Sequence, residues 1–122
     1  MNYPTRLDLF LGGFMDKVFS LRKHYQPIDL ARMLLREVTT NERKTLKQTF
    51  VPNILVVLLA EPDMERLEPI YREVVNDLKQ TTEEFIERQE LNMTGPLSLA
   101  MQASPELKKG QVRIKTSFTK GV

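Results

Sequence analysis

The 122 residues are 41% hydrophobic and 28% charged with a net charge of +2, the balance of one ordinary globular domain with a core of modest stability. There is no Cys and only one His, His24, which excludes a disulfide framework, a thiolate zinc site and a thiol nucleophile, and leaves little for a triad or a His-rich metal centre. The longest apolar run, residues 54–60, is far shorter than the ~20 residues of a membrane span, and the first residues lack the layout of a secretory signal, so a cytoplasmic location is expected.

Charge is segregated along the chain. Residues 1–50 hold nine Lys/Arg against five Asp/Glu, residues 51–95 hold four against ten, and residues 96–122 hold five against one. The small total argues against a dedicated nucleic-acid binder, whereas the segregation suits a basic face and an acidic face for choosing a partner.

The first predicted element is a helix over residues 5–21. Leu7, Phe10, Leu11, Phe14, Val18 and Leu21 recur at three- and four-residue steps and so share one face. Gly12-Gly13 inside it costs ~1 kcal/mol per glycine relative to alanine, so this helix depends on tertiary packing. After a polar connection at 22–26, Pro27 opens a second helix with Asp29 in its first turn and Ile28, Ala31, Leu34, Leu35 and Val38 as its stripe. The pattern fades at Thr39-Thr40-Asn41, leaving Glu42 to Thr49 as a helical extension or a loop.

Ile54 to Leu59 is the clearest strand, introduced by Val51-Pro52-Asn53 and apolar on both sides, which predicts that both faces are covered. A long helix follows from Glu61-Pro62-Asp63 to about Leu91, with Leu67, Ile70, Tyr71, Val74, Leu78, Phe85 and Ile86 buried and a kink or break at Pro69. Asn92 to Pro96 is a turn. Leu97, Leu99, Met101 and Ala103 then alternate with polar or small residues, and Val112, Ile114, Thr116 and Phe118 do so after a reversal holding Pro105 and Gly110. These two runs read as a hairpin. The expected architecture is a single α+β domain over 1–122, in the order α-α-β-α-β-β, with a small three-stranded mixed sheet and a long helix. Either the last strand, antiparallel, or the 97–103 strand, parallel, can lie beside the first.

No constellation of catalytic groups converges. Asp63, Glu65 and Glu68 crowd a helix start, as the helix dipole favours, and Glu83, Glu84, Glu87 and Glu90 read as a solvated helix face because no His accompanies them. His24 has no carboxylate nearby in sequence to orient it. A phosphate-cradling glycine loop is absent, as is the G-x-x-G tetrapeptide of KH-type RNA-binding modules. Arg113 and Lys115 on the last strand could meet phosphates, yet lysines also protect strand edges. We therefore expect no catalytic residue, cofactor, metal or small-molecule substrate. A helix with Phe10, Phe14 and Phe19 but no dense basic stripe is expected to pack on the sheet or a partner rather than on a membrane.

The motif Gln26-Pro27-Ile28-Asp29-Leu30-Ala31 with Leu34, Arg36 and Glu37 resembles the N-terminal domain of bacterial FHA (forkhead-associated) proteins of the FhaA type. Val51-Pro52-Asn53 before an apolar strand, Asp63 and Leu67 opening a long helix, Gly95-Pro96 and Gly110 fit the same pattern, from about Leu9 to Phe118. The resemblance implies a non-enzymatic module that precedes, through a linker, a phosphothreonine-reading FHA domain, in adaptors of Ser/Thr-kinase signalling tied to cell-wall growth and division. The sequence contains no FHA domain, so phosphopeptide recognition does not carry over to it. The leading expectation is a protein-interaction module, self-association included, with Phe10, Phe14, Val18 and Phe19 as the interaction surface. The alternative is a small nucleic-acid-binding α/β domain using the basic ends of the chain.

Overall fold

The computed structural model describes residues 15–20 and 25–120. In chain order these form β1 (Met15–Ser20), α1 (Pro27–Thr40), β2 (Arg43–Lys44), β3 (Thr49–Phe50), β4 (Ile54–Leu59), α2 (Glu61–Leu67), a 3₁₀ turn (Glu68–Ile70), α3 (Tyr71–Arg88), β5 (Ser98–Ala103) and β6 (Gln111–Ser117). The class is α+β, but the sheet has four strands in the order β1-β6-β4-β5, and β2 and β3 form a separate ribbon. β4 runs parallel to β5 and antiparallel to β6, while β6 is antiparallel to β1.

Several expectations change. Residues 15–20 are a strand rather than the end of a helix, pairing from Met15↔Thr116 to Ser20↔Gln111. The ladder satisfies the outer edge of β6, which a helix would leave open, and the Gly12-Gly13 pair already weakened the helical alternative. The rest of that predicted helix, residues 5–14 and Leu21, lies outside the described residues, as does His24. The runs at 97–103 and 112–118 are not a hairpin: β4 inserts between them, so both placements left open by the sequence occur at once. A parallel β4–β5 pair requires a long crossover, and α2 and α3 supply it. Residues 43–50 are neither helix nor plain loop but the β2–β3 ribbon, closed by Thr45 N–H donating to Gln48 O at 2.8 Å.

α1 begins as its sequence demands. Pro27 occupies the first turn, and the Gln26 N–H donates to Asp29 Oδ2 at 2.8 Å. At its far end the Asn41 side chain donates to Glu37 O at 2.9 Å. The buried stripe is Leu30, Met33, Leu34, Glu37 and Val38, rotated from the predicted one, and Ile28 is 56% exposed. The break at Pro69 is real: α2 stops at Leu67, one 3₁₀ turn follows, and α3 restarts at Tyr71. Val74, Leu78, Thr82 and Ile86 carry its buried face.

The core lies between these helices and one face of the sheet. Leu55, Val57 and Leu59 of β4, Met101 of β5, and Val112 and Ile114 of β6 meet Leu30, Leu34, Val38, Val74, Leu78 and Ile86. Among the described residues the opposite sheet face is only partly covered, where the sequence predicts cover on both faces of β4. Leu58 packs with Ala60 and Leu107, but Ile54 and Val56 stay half-buried. Only one helical layer exists among the described residues, so one face must do with a loop.

Asn53 fixes the start of β4. Its backbone N–H donates to Ser117 O of β6 at 3.2 Å, and its carbonyl accepts from Ser98 N–H of β5 at 2.8 Å. Its fully buried side chain donates to Pro96 O and Thr119 Oγ1, and accepts from Thr119 N–H and Thr94 Oγ1. One amide thus joins three chain segments at one end of the sheet.

Candidate functional site

The helix break at Pro69 has a consequence at the surface. Where α2 turns into α3, the two diverge over the outer edge of β5 and leave an open groove of about 910 Å³. Its floor is apolar: Met64 from α2, Pro69 from the 3₁₀ turn, Tyr71 at the start of α3, and Met101 and Ala103 from β5. Its rim is acidic, with Glu61, Glu65, Glu68 and Glu73 exposed around a single Arg72. None of these carboxylates has an ion-pair partner among the described residues. In the β4–β5 register, Ser98 and Ser104 turn their N–H groups to β4, so the main-chain groups of Leu99, Met101 and Ala103 point to the free edge. The Tyr71 hydroxyl donates to Met101 O at 3.0 Å and closes the middle of that edge. The groove therefore receives side chains more readily than it adds a strand.

The wall is held by a buried polar contact. Asp63, 1% exposed, accepts from Gly110 N–H through Oδ2 at 2.8 Å and pins the first turn of α2 to the turn before β6. Gly110 has φ 88°, a left-handed conformation that suits glycine. Arg66 stacks its guanidinium 5.1 Å from the Tyr25 ring centroid and donates to Tyr25 O at 3.3 Å. Burial, and then the nearby Asp63 carboxylate, push the Tyr25 hydroxyl up to about 12. Asp63 is thus a structural tie, while Glu65 and Glu68 from the same helix start belong to the groove.

The other sequence-predicted residues disperse. Val18 is 46% exposed, whereas Phe19, its neighbour on the strand, packs against the core. A strand sends adjacent side chains to opposite faces, so the two do not share a surface. Phe10 and Phe14 lie outside the described residues. Glu83, Glu84 and Glu87 on α3 and Glu90 in the turn just after it are all exposed. Arg113 and Lys115 lie half-buried on the partly covered sheet face, and Arg113 meets Glu106 at 3.3 Å. No group of three or more His, Asp or Glu residues is placed to hold a metal ion among the described residues, and none of the described helices is long and apolar enough to cross a membrane.

Residues 4–115 match the family described as FhaA, N-terminal domain. The chain belongs to that family. The match spans both walls of the groove and every strand of the main sheet up to Lys115 of β6. Among solved structures, "Rv0020c_Nter structure" superposes with a TM-score of 0.72 at 18% identity, over 93% of this chain and 79% of that one. At that identity the likeness shows a shared fold. No curated protein matches the chain. The groove itself was missed by sequence reasoning: the break at Glu68-Pro69 was visible, but nothing in the sequence placed Met101 and Ala103 beneath it.

Proposed function

We propose that this FhaA N-terminal domain is a non-enzymatic protein-interaction module of a bacterial signalling adaptor. In this reading it acts in the cytoplasm beside a phosphothreonine-binding FHA domain, in Ser/Thr-kinase signalling linked to cell-wall growth or division. The observation that carries the interaction role is the groove between α2 and β5. An apolar floor with an unpaired acidic rim suits a protein segment bearing an apolar side chain flanked by Lys or Arg. The floor supplies desolvation and the rim supplies orientation and encounter rate. Family membership supports the adaptor setting. Val18, on the other edge strand, offers a second exposed apolar position for a partner.

The test is a titration of the ¹⁵N-labelled domain with short peptides of the pattern basic-apolar-basic, beside charge-inverted controls. Signals of Met64, Tyr71 and Met101 are expected to move with the basic peptides, and the response to vanish in Glu65→Lys/Glu68→Lys. Shifts confined to the region of Val18 would relocate the interaction surface and overturn the groove reading. A nucleic-acid role is tested in the same format with a generic oligonucleotide: the acidic rim predicts no sequence-dependent binding tighter than ~10⁻⁶ M at physiological salt.

A further inference from the structure

The β2–β3 ribbon ends in a tip, Thr45 to Gln48, whose four residues are all exposed. Leu46 at this tip is 103% exposed, the most exposed of the large hydrophobic side chains described. Lys44 and Lys47 flank it, both exposed. Lys44 lies 3.6 Å from the Glu42 carboxylate in an ion pair that a partner's carboxylate would share, and Arg43 stands at the base with its guanidinium 5.3 Å from the Phe118 ring centroid. The tip is nevertheless firmly built. Thr45 and Gln48 bond through the backbone and through Thr45 Oγ1, and Val51 N–H and Asn92 N–H tie the ribbon to the chain beyond α3 at 2.9 Å each. A rigid, basic turn presenting one bare leucine is the chemical complement of an apolar groove with an unpaired acidic rim.

Both features are on this chain but cannot meet within it. The ribbon is anchored at Asn92, past the C-terminal end of α3, whereas the groove lies at Tyr71, the N-terminal end of α3. The 18 residues of that helix separate them by ~27 Å, while the ribbon from Phe50 to Leu46 reaches only ~13 Å. We propose that the β2–β3 tip of one copy docks in the α2–β5 groove of a second copy, joining chains head to tail. Leu46 enters against Met64 and Met101, and Lys44 and Lys47 face Glu65 and Glu68. The interface is heterologous, so each added copy leaves one free tip and one free groove, giving open chains or rings. A four-residue tip buries far less than a standard interface, and association is correspondingly weak, set by local concentration.

The proposal rests on the groove being a receptor for basic-apolar segments, and the experiment separates the two. Average mass is measured by sedimentation over a concentration series for the wild type, a tip variant (Leu46→Ser/Lys47→Glu) and a groove variant (Glu65→Lys/Glu68→Lys). All four altered side chains are exposed, and circular dichroism verifies folding, with Glu65→Gln/Glu68→Gln as the milder groove variant. The wild type is expected to grow in mass with concentration and to shrink with added salt. Each variant alone stays monomeric. Their equimolar mixture forms a dimer and stops there, because only one intact tip and one intact groove remain. A wild type that is monomeric up to about 1 mM, a tip variant that still associates, or a mixture that stays monomeric overturns the proposal. If the wild type is monomeric yet its groove signals respond to basic-apolar peptides, the groove reading stands and its occupant is another protein. If neither occurs, both fall.

Discussion

Asn53→Ala isolates the contribution of one amide to the fold. The substitution deletes the bonds to Pro96 O at 3.0 Å, to Thr119 Oγ1 at 2.7 Å, from Thr119 N–H at 2.9 Å and from Thr94 Oγ1 at 3.3 Å. Each contributes about 0.5–1.5 kcal/mol net. Thr119 is only half-buried, so water recovers part of what its groups lose. The cavity left by the carboxamide, at a site with no exposure, works in the other direction. The sum is about 3 kcal/mol, a large share of the stability of a domain this size. Urea unfolding followed by circular dichroism is expected to show a midpoint lowered by about 2 M with an unchanged slope. Asn53→Asp keeps the shape but sets a buried carboxylate oxygen against Pro96 O in place of the donated bond, so it is expected to cost at least as much as Asn53→Ala. A loss below about 0.5 kcal/mol for Asn53→Ala would refute the hub role, since surface substitutions commonly fall in that range.

The remaining expectations concern backbone, pH and the two faces of β4. A Cβ on Gly95 would lie 3.2 Å from Asn53 Nδ2 and 3.1 Å from Thr119 Oγ1; both are pinned by their mutual hydrogen bond, so Gly95→Ala is expected to lower the melting temperature, and an unchanged value would show that this corner gives way. Glu90 has φ 56° and closes α3 as a Schellman cap, with Leu91 N–H on Ile86 O and Glu90 N–H on Glu87 O, so Glu90→Gly should stabilise by roughly 0.5–1 kcal/mol in the same urea assay. Because the folded Tyr25 hydroxyl titrates at about 12 instead of 10.0, the folded state holds its proton more tightly: stability is intact below pH 10 and falls as the pH rises towards 12, a decline that Tyr25→Phe should flatten in alkaline melting curves. Val57→Asp, at a position with no exposure, is expected to prevent folding, whereas Val56→Asp on the half-covered face should leave a cooperative thermal transition; equal outcomes would mean that β4 is covered on both sides.

The sequence by itself determined what depends on neighbours along the chain. Pro27 with Asp29 starts α1, Pro69 breaks the long helix, and six apolar residues after Asn53 make β4, because caps, proline geometry and β-branched runs act over a few residues. The motifs around 26–37, 51–53 and 95–96 also pointed to the family that the match over 4–115 shows. Tertiary structure decided the rest. Residues 15–20 became a strand because the edge of β6 needed a partner, which no local pattern announces. β4 entered between β5 and β6 because pairing order is a long-range choice, and alternation reads the same in a hairpin as in a split β-α-β layer. Among the described residues, the apolar side chains of β4 face a helical layer on one side and the Leu107 loop on the other, since composition counts apolar residues without assigning their cover. The groove exists only because the break at Pro69 lies over the edge of β5, a coincidence of two segments some thirty residues apart in the Tyr71–Met101 bond. Local chemistry wrote the elements, and their packing against one another made the groove.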